Sequence, residues 1–303
     1  MTTPSIPTSA PRPLHSTWAP GYADVRPPAT TAELDAAVDL LRGHRVVTLT
    51  GAGISTDSGI PDYRGPNAVP RSPMTYQQFV GDPGFRRHYW ARNHVGWHHM
   101  VATSPNDGHR ALAALERAGV VSGVITQNVD RLHTVAGSHA VIDLHGHYNE
   151  VVCLSCGTVI SRAELDRRLL DLNPGFLEEI AEVGDVEIAP DADAVIERTA
   201  HFRTAPCERC GGILKPNIVY FGENVPKDRV ARAYAMVDDA DALLAVGTSL
   251  AVQSGLRLVK RAARDGKPVV IVNRGVTRGD ELADLRLNAG STEALEHLLA
   301  RLS

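Results

Sequence analysis

The stretch RVVTLTGAGISTDSGIPDYRGP, residues 45–66, constrains the fold of this chain more than any other. An apolar run from Val46 to Leu49 breaks into Gly51-x-Gly53 and then into a polar segment ending at Asp62, Tyr63 and Arg64. A short, continuous apolar run bounded by turn residues reads as a buried strand. Strands buried on both faces belong to parallel sheets covered by helices. The same pattern returns in SGVITQ, in ALLAVGTSLAV, which breaks at Gly247, Thr248 and Ser249, and in KPVVIVNRG, which ends at Asn273, Arg274 and Gly275. The expected fold class is α/β, a Rossmann-like doubly wound parallel sheet whose strand-end loops form a crevice for a nucleotide.

Glycines at such a strand end let backbone N–H groups approach a pyrophosphate. Gly51 and Gly53 suit that role, but the next glycine is Gly59, and Ser55, Thr56, Asp57 and Ser58 stand where a dehydrogenase helix would continue. That spacing disfavours an ordinary dehydrogenase. Taken alone, G-x-G fits a plain strand-to-helix turn as well as it fits a nucleotide site.

The chain has 303 residues, 43% of them hydrophobic, enough for one large domain or one domain with a sizeable insertion. A formal net charge of -4 gives no global pull toward nucleic acid or an anionic membrane, and neither is expected as a partner. No apolar run approaches the length of a membrane span. The first residues are rich in Pro, Ser and Thr and lack the charged start and apolar core of a secretory signal, so a tail closing onto the body near Trp18 or Tyr22 is expected.

Helical spacing of Leu34, Ala37, Val38 and Leu41 predicts a helix from Thr31, capped by Thr30 or Thr31. An irregular stretch follows the glycine loop as far as Pro83. Phe85, Tyr89, Trp90 and Trp97 then suggest a helical module packed over that loop. His94 and His98 stand one helical turn apart, a spacing that can hold a metal, but no carboxylate accompanies them in sequence, and packed or rim histidines are expected. A further amphipathic helix, Asn106 to Ala118, leads into the strand that delivers Gln127, Asn128 and Asp130. Such a cluster either satisfies its own backbone or orients a ribose or carboxamide.

All four cysteines fall into two C-x-x-C pairs, Cys153/Cys156 and Cys207/Cys210. Two such pairs complete a closed tetrahedral zinc site; redox disulfides are the alternative, but no thioredoxin pattern surrounds either pair. A helix from Ala163 to Leu172 and the acidic stretch AEVGDVEIAPDADAVIER lie between the pairs, and the acidic charges are expected to solvate a surface.

GAGISTDSGIPDYRGP, TQNVDRLH followed by LHGH, and ILKPNIVYFGENVP, in this order and with the cysteine pairs, resemble the signatures of the sirtuins, the NAD-dependent protein deacylases. The resemblance runs from about Thr31 to the C-terminus, and YWARNHVGW and LNPGF look most like the class II branch. Tyr63 stands where many members have Phe, and Thr248 where Ser is frequent. The resemblance implies a large NAD-binding domain from residues 30–66, 105–147 and 214–303. A smaller domain would comprise a helical module, 67–104, and a zinc module, 148–213, after a tail of residues 1–29.

The family also implies roles. NAD would be the co-substrate, held by Gly51, Ala52, Gly53, Ser55, Ile60, Asp62, Tyr63, Arg64, Gln127, Asn128, Asp130, Gly247, Thr248, Ser249, Asn273, Arg274, Gly275 and Ser291. Asn128 and Asp130, catalytic residues beside His145, would take the nicotinamide end with Ile60 and Ser55, Arg64 and Gln127 the phosphate and ribose ends, and Ser291 the adenine. His145 would be the general base, its ordinary pKa near neutrality suiting the task. Val219 and Phe221 would line a tunnel for an acyl-lysine of a protein or peptide, although bare alternation fits a core strand equally. One structural Zn2+ would sit on Cys153, Cys156, Cys207 and Cys210. The expected reaction moves the acyl group to ADP-ribose and releases nicotinamide, in the cytoplasm; the alternatives are protein mono-ADP-ribosyl transfer or a non-sirtuin Rossmann dehydrogenase or sensor.

Overall fold

A computed structural model describes residues 26–64, 73–182 and 199–303. Most of the expected tail, the end of the first signature after Arg64, and the acidic stretch from residue 183 lie outside the described residues.

The chain begins with α1 (Thr31–Leu41) and β1 (Val46–Thr50), then α2 (Tyr76–Gly81), α3 (Pro83–Ala102), α4 (Asp107–Arg117) and β2 (Val121–Thr126). It continues through α5 (Leu132–Val135), β3 (Val141–Asp143), β4 (Gly146–Cys153), β5 (Val159–Ser161), α6 (Arg162–Leu172), α7 (Phe176–Ala181) and β6 (Leu214–Ile218). The last part holds α8 (Lys227–Asp239), β7 (Ala242–Val246), α9 (Gln253–Arg264), β8 (Val269–Val272), β9 (Leu285–Leu287) and α10 (Ser291–Leu302).

Six strands form one sheet in the order β3-β2-β1-β7-β8-β9, and every pairing in it is parallel. This is the doubly wound order, with its reversal between β1 and β7, where the crevice for a ligand belongs. Alternation along β1 divides the two faces: Val46 packs with Leu34, Leu112 and Leu295, while Val47 and Leu49 pack with Val237, Leu256 and Val259. Thr30 makes the expected cap of α1, with Glu33 N–H donating to its hydroxyl and its own N–H to the Glu33 carboxylate at 2.7 Å.

The remaining strands form a separate antiparallel sheet, β5-β4-β6. It shares a third core with α2, α3 and α6, built on Phe79, Tyr89, Trp90, Leu165 and Leu214. Two expectations are corrected here. The stretch before Pro83 is not wholly irregular, because Thr75 and Gln78 form a capping box that starts α2. Phe85 does not pack over the glycine loop; it stands in the first turn of α3, 46% exposed.

His94 is packed and His98 lies at the rim, as expected, and α6 brings them a carboxylate that local spacing does not show, that of Asp166. Its Oδ1 lies 2.8 Å from His94 Nδ1, 3.2 Å from His98 Nε2 and 3.5 Å from Arg162 Nη1. Arg162 is fully buried with its guanidinium over the Trp97 ring. Burial pulls its pKa down only to about 10, so it stays charged at neutral pH and is the cation this cluster holds. The network ties α3 to α6 rather than forming an open metal site.

Candidate active site

The loops that leave β1, β2, β3, β7 and β8 at their carboxyl ends converge on one cleft of about 470 Å³, within the ~300–1,000 Å³ usual for ligand sites. Gly51, Ala52, Gly53, Ser55, Ile60, Asp62, Tyr63 and Arg64 line it from the β1 side, and Gln127, Asn128 and Asp130 from β2. His145 comes from the end of β3, Gly247, Thr248 and Ser249 from β7, and Asn273 and Arg274 from β8. Val219 and Phe221 close the side toward the small sheet. Of the residues expected at the cofactor, Gly275 and Ser291 do not line this cleft. Ser291 sits behind the glycine loop, its hydroxyl donating to Gly53 O at 3.2 Å, and Gly275 N–H is turned to Asn288 Oδ1.

The two glycine loops are packed against each other. Gly51 N–H donates to Val246 O and Gly53 N–H to Gly247 O, so these two donors serve the β7 loop instead of pointing at a pyrophosphate. Gly247 has a φ of 61°, and a Cβ there would meet Ile54 N at 2.5 Å. Glycine is therefore required for the close approach of the loops. Among the described residues two non-glycine residues take the left-handed conformation, Arg131 and Leu250, and each stands beside cleft residues on the β2 and β7 loops.

At one end of the cleft, polar groups form a connected set. Ser55 Oγ donates to Asp130 Oδ2 at 2.7 Å and accepts from Asn128 Nδ2 at 3.0 Å, and Leu132 N–H donates to Asp130 Oδ1 at 2.9 Å. Burial raises the Asp130 carboxyl above its ordinary range, against the pull of these donors. Gln127 Nε2 donates to Thr248 Oγ1 at 2.9 Å, joining the β2 loop to the β7 loop across the reversal point.

His145 is held at both ring nitrogens. Nδ1 lies 3.0 Å from Gln127 O and Nε2 lies 2.7 Å from Ser254 Oγ. A carbonyl can only accept, so Nδ1 carries the proton and Nε2 presents a lone pair. Burial pushes the pKa of this ring down to about 4, with the charge of Arg229 acting in the same direction. The ring is thus a neutral acceptor throughout the neutral range, and a weaker base than its ordinary pKa near neutrality implies.

The small sheet is tied to this ring through the backbone. Val219 N–H donates to His145 O at 2.7 Å. Next in the chain, Gly146 takes a φ of 78°, and a Cβ there would meet Asn217 O at 1.9 Å, so β4 can cross β6 only through glycine. Lys215 and Glu223 of the ILKPNIVYFGE motif prove to be internal supports. Lys215 Nζ donates to Ile218 O and to Glu223 Oε2, and Glu223 accepts from Tyr220 N–H, which shapes the turn that presents Phe221. The extended segment is also shorter than expected, since β6 ends at Ile218 and Val219 already lies outside it.

Sequence reasoning missed Ser254 and Arg257, which reach the cleft from the first two turns of α9. Their i, i+3 spacing at the start of a strongly amphipathic helix was the available signal. Arg64, Arg257 and Arg274 give the cleft cationic groups, while Lys215 already pairs with the carboxylate of Glu223. Cationic groups along the cleft and an amide–carboxyl set at one end fit a dinucleotide with its carboxamide toward Asn128 and Asp130.

The four cysteines form a cluster with all Sγ atoms within 4.8 Å of one another. Cys153 Sγ lies 3.5 Å from Cys210 Sγ, and Cys156 Sγ lies 3.8 Å from Cys207 Sγ. These are not disulfides, whose S–S length is ~2.05 Å. They match the edge of about 3.8 Å that follows from tetrahedral Zn–S bonds of ~2.3 Å.

Behind the cleft lie two more buried imidazoles. His133 Nε2 meets Thr50 Oγ1 at 2.8 Å, and the His109 ring packs 4.8 Å from the His133 ring. Burial lowers His109 to about 4, and burial together with His109 keeps His133 well below its ordinary value of 6.5. In the unfolded chain these rings and His145 take up protons near pH 6.5, which the folded chain refuses. The unfolded state therefore binds more protons between about pH 6.5 and about 4. The stability they confer is complete above that window and drains away as pH falls through it. Urea unfolding midpoints are expected to drop clearly from pH 7 to pH 5, and equal midpoints would contradict buried neutral histidines.

The model of the Sir2 family matches residues 51–254. Among curated relatives, NAD-dependent protein deacetylase 1 of Mycobacterium avium is 61% identical over 272 residues, covering 90% of this chain and 96% of the relative. NAD-dependent protein deacetylase 1 of Streptomyces coelicolor is 50% identical over 289 residues, 94% of each chain. A solved structure of Sir2 with an inhibitor, 2′-O-acetyl-ADP-ribose and a deacetylated p53 peptide superposes with a TM-score of 0.68 at 32% identity, covering 88% of this chain and 97% of that one. By family match, identity and fold, this chain belongs to the Sir2 family, the sirtuins.

Proposed function

We propose that this chain is an NAD-dependent protein-lysine deacylase that transfers the acyl group to ADP-ribose, releases nicotinamide and carries one structural zinc. The observation that carries this reading is His145: a neutral imidazole with a fixed Nε2 lone pair, in a cleft lined by both glycine loops, and bonded through its backbone to Val219. Such a group can remove a proton from a ribose hydroxyl beside a peptide held along residues 219–221. Asn128 and Asp130 orient the carboxamide, and Arg64, Arg257 and Arg274 serve the phosphates. Val219 and Phe221 flank the acyl-lysine, with Phe221 braced edge-on by Tyr63 at 6.3 Å.

The large sheet with its helices is the NAD-binding domain, and the small sheet with α2, α3, α6 and α7 the smaller one. Four cysteines in a thiolate cluster suit a reducing compartment, which supports a cytoplasmic location. Among the described residues no helix is long and apolar enough to cross a membrane. The class II likeness leaves acyl preference open to longer or branched groups beside acetyl.

Incubation of the zinc-loaded chain with NAD and an acetyl-lysine peptide is expected to give nicotinamide and acetyl-ADP-ribose in equal amounts. NADH in their place would make it a dehydrogenase. ADP-ribose retained on protein in step with nicotinamide release would make it a mono-ADP-ribosyltransferase. A panel of acyl-lysine peptides then ranks the acyl groups.

A further inference from the structure

His145 has one lone pair for base work. Nδ1–H is spent on Gln127 O, so any proton the ring accepts must arrive at Nε2. That position is already occupied by Ser254 Oγ at 2.7 Å, an ordinary O–H···N distance. The hydroxyl is not engaged in capping α9, whose N-terminus has no side-chain cap. The helix that carries it is anchored beneath the sheet by Leu256 and Val259, both buried, so the serine is held in place at the cleft wall.

We propose that Ser254 is a catalytic residue that relays the proton from the ribose hydroxyl of the dinucleotide to Nε2 of His145. This rests on the deacylase reading above. A serine hydroxyl has one donor hydrogen and two acceptor lone pairs, so it can accept from the ribose hydroxyl while it donates to the imidazole. In the step, the ribose O–H bond breaks as a new Oγ–H bond forms, and the original Oγ proton passes to Nε2. The serine is neutral before and after, and the imidazole becomes imidazolium. The electron pair freed on the ribose oxygen makes the new bond to the acyl carbon. Direct contact between ribose and Nε2 would instead require the serine to give up the hydrogen bond that satisfies the ring.

The test compares full-length, zinc-loaded wild type with Ser254→Ala and Ser254→Thr in two assays. Exchange of free nicotinamide into NAD, with acyl peptide present, reports bond cleavage before the proton is moved. Formation of acyl-ADP-ribose reports the steps after it. The relay predicts that Ser254→Ala slows acyl-ADP-ribose formation by at least tenfold relative to exchange, and that Ser254→Thr, which keeps the hydroxyl, restores the ratio to within a few fold. If Ser254→Ala keeps or raises the ratio, the serine is a resting cap on His145 and the relay is wrong. Equal loss of both activities in the alanine and threonine variants would also overturn it, as the serine would then be needed only for the shape of the cleft. Wild type that catalyses neither reaction would overturn the deacylase reading and the relay with it.

Discussion

Replacing His145 with alanine is expected to lower acyl-ADP-ribose formation by about 10²–10⁴-fold, the range of a positioned acid–base group, while NAD affinity changes only a few fold. The separation follows from which atoms do what. Val219 is tethered to the backbone carbonyl of His145, so the alanine variant keeps the link between the two sheets. The side chain bonds Gln127 O through Nδ1 and Ser254 Oγ through Nε2, and neither bond reaches the Asn128–Ser55–Asp130 set assigned to the carboxamide. Asp130→Ala should fail differently, impairing nicotinamide exchange, because it removes the acceptor of both Ser55 and Leu132. Binding by calorimetry and product by mass spectrometry separate the cases. A His145→Ala enzyme working within a few fold of wild type, with zinc and fold intact, would mean that another group takes the proton.

The sheet and its crevice were legible because burial on both faces writes itself as continuous apolar runs, as in β1, β7 and β8, each followed at once by glycine or asparagine. The cysteine cluster was legible for a similar reason: its chemistry fixes ligand type and local spacing. What spacing could not carry was the partnership between distant segments. Asp166 meets His94 across 72 positions (166 − 94), and nothing in either local pattern announces it. Ser254 meets His145 across 109, from a helix whose sequence reads simply as amphipathic. G-x-G suits donation to phosphate and a plain turn alike, and in the fold both N–H groups serve the approach of the β7 loop. In ILKPNIVYFGENVP, Val219 and Phe221 reach the cleft, while Lys215 and Glu223 support the turn beside them. A motif marks where residues must be kept together and leaves open whether a ligand or the backbone is their partner.

Removal of the zinc is expected to dismantle the small sheet and silence the enzyme while the large sheet stays folded. Cys153 ends β4 and Cys210 closes the turn that precedes β6, so the metal staples two neighbouring strands at the end farthest from His145. The turns are built alike, with Gly157 N–H donating to Cys153 O and Gly211 N–H to Cys207 O. Without the ion, sulfur atoms 3.5–3.8 Å apart have no shared cation and at least some must protonate or move. Structural zinc sites contribute their binding energy directly to folding, with apparent values of ~10–16 kcal/mol in small finger domains. Much of that is expected to be felt here, since the small core around Leu165 and Leu214 is continuous with the metal-bearing strands. Val219 follows β6 directly and bonds His145 O, so loosening β6 also frees the wall on which the peptide is to lie. Native protein should contain one zinc per chain, and chelation or Cys156→Ser should abolish deacylation. Hydrogen exchange should then rise in β4, β5 and β6 and remain slow in β1, β2 and β7. Metal content far below one per chain in active protein, or unaltered exchange in β4–β6 after its removal, would show that the four cysteines hold the fold by another means.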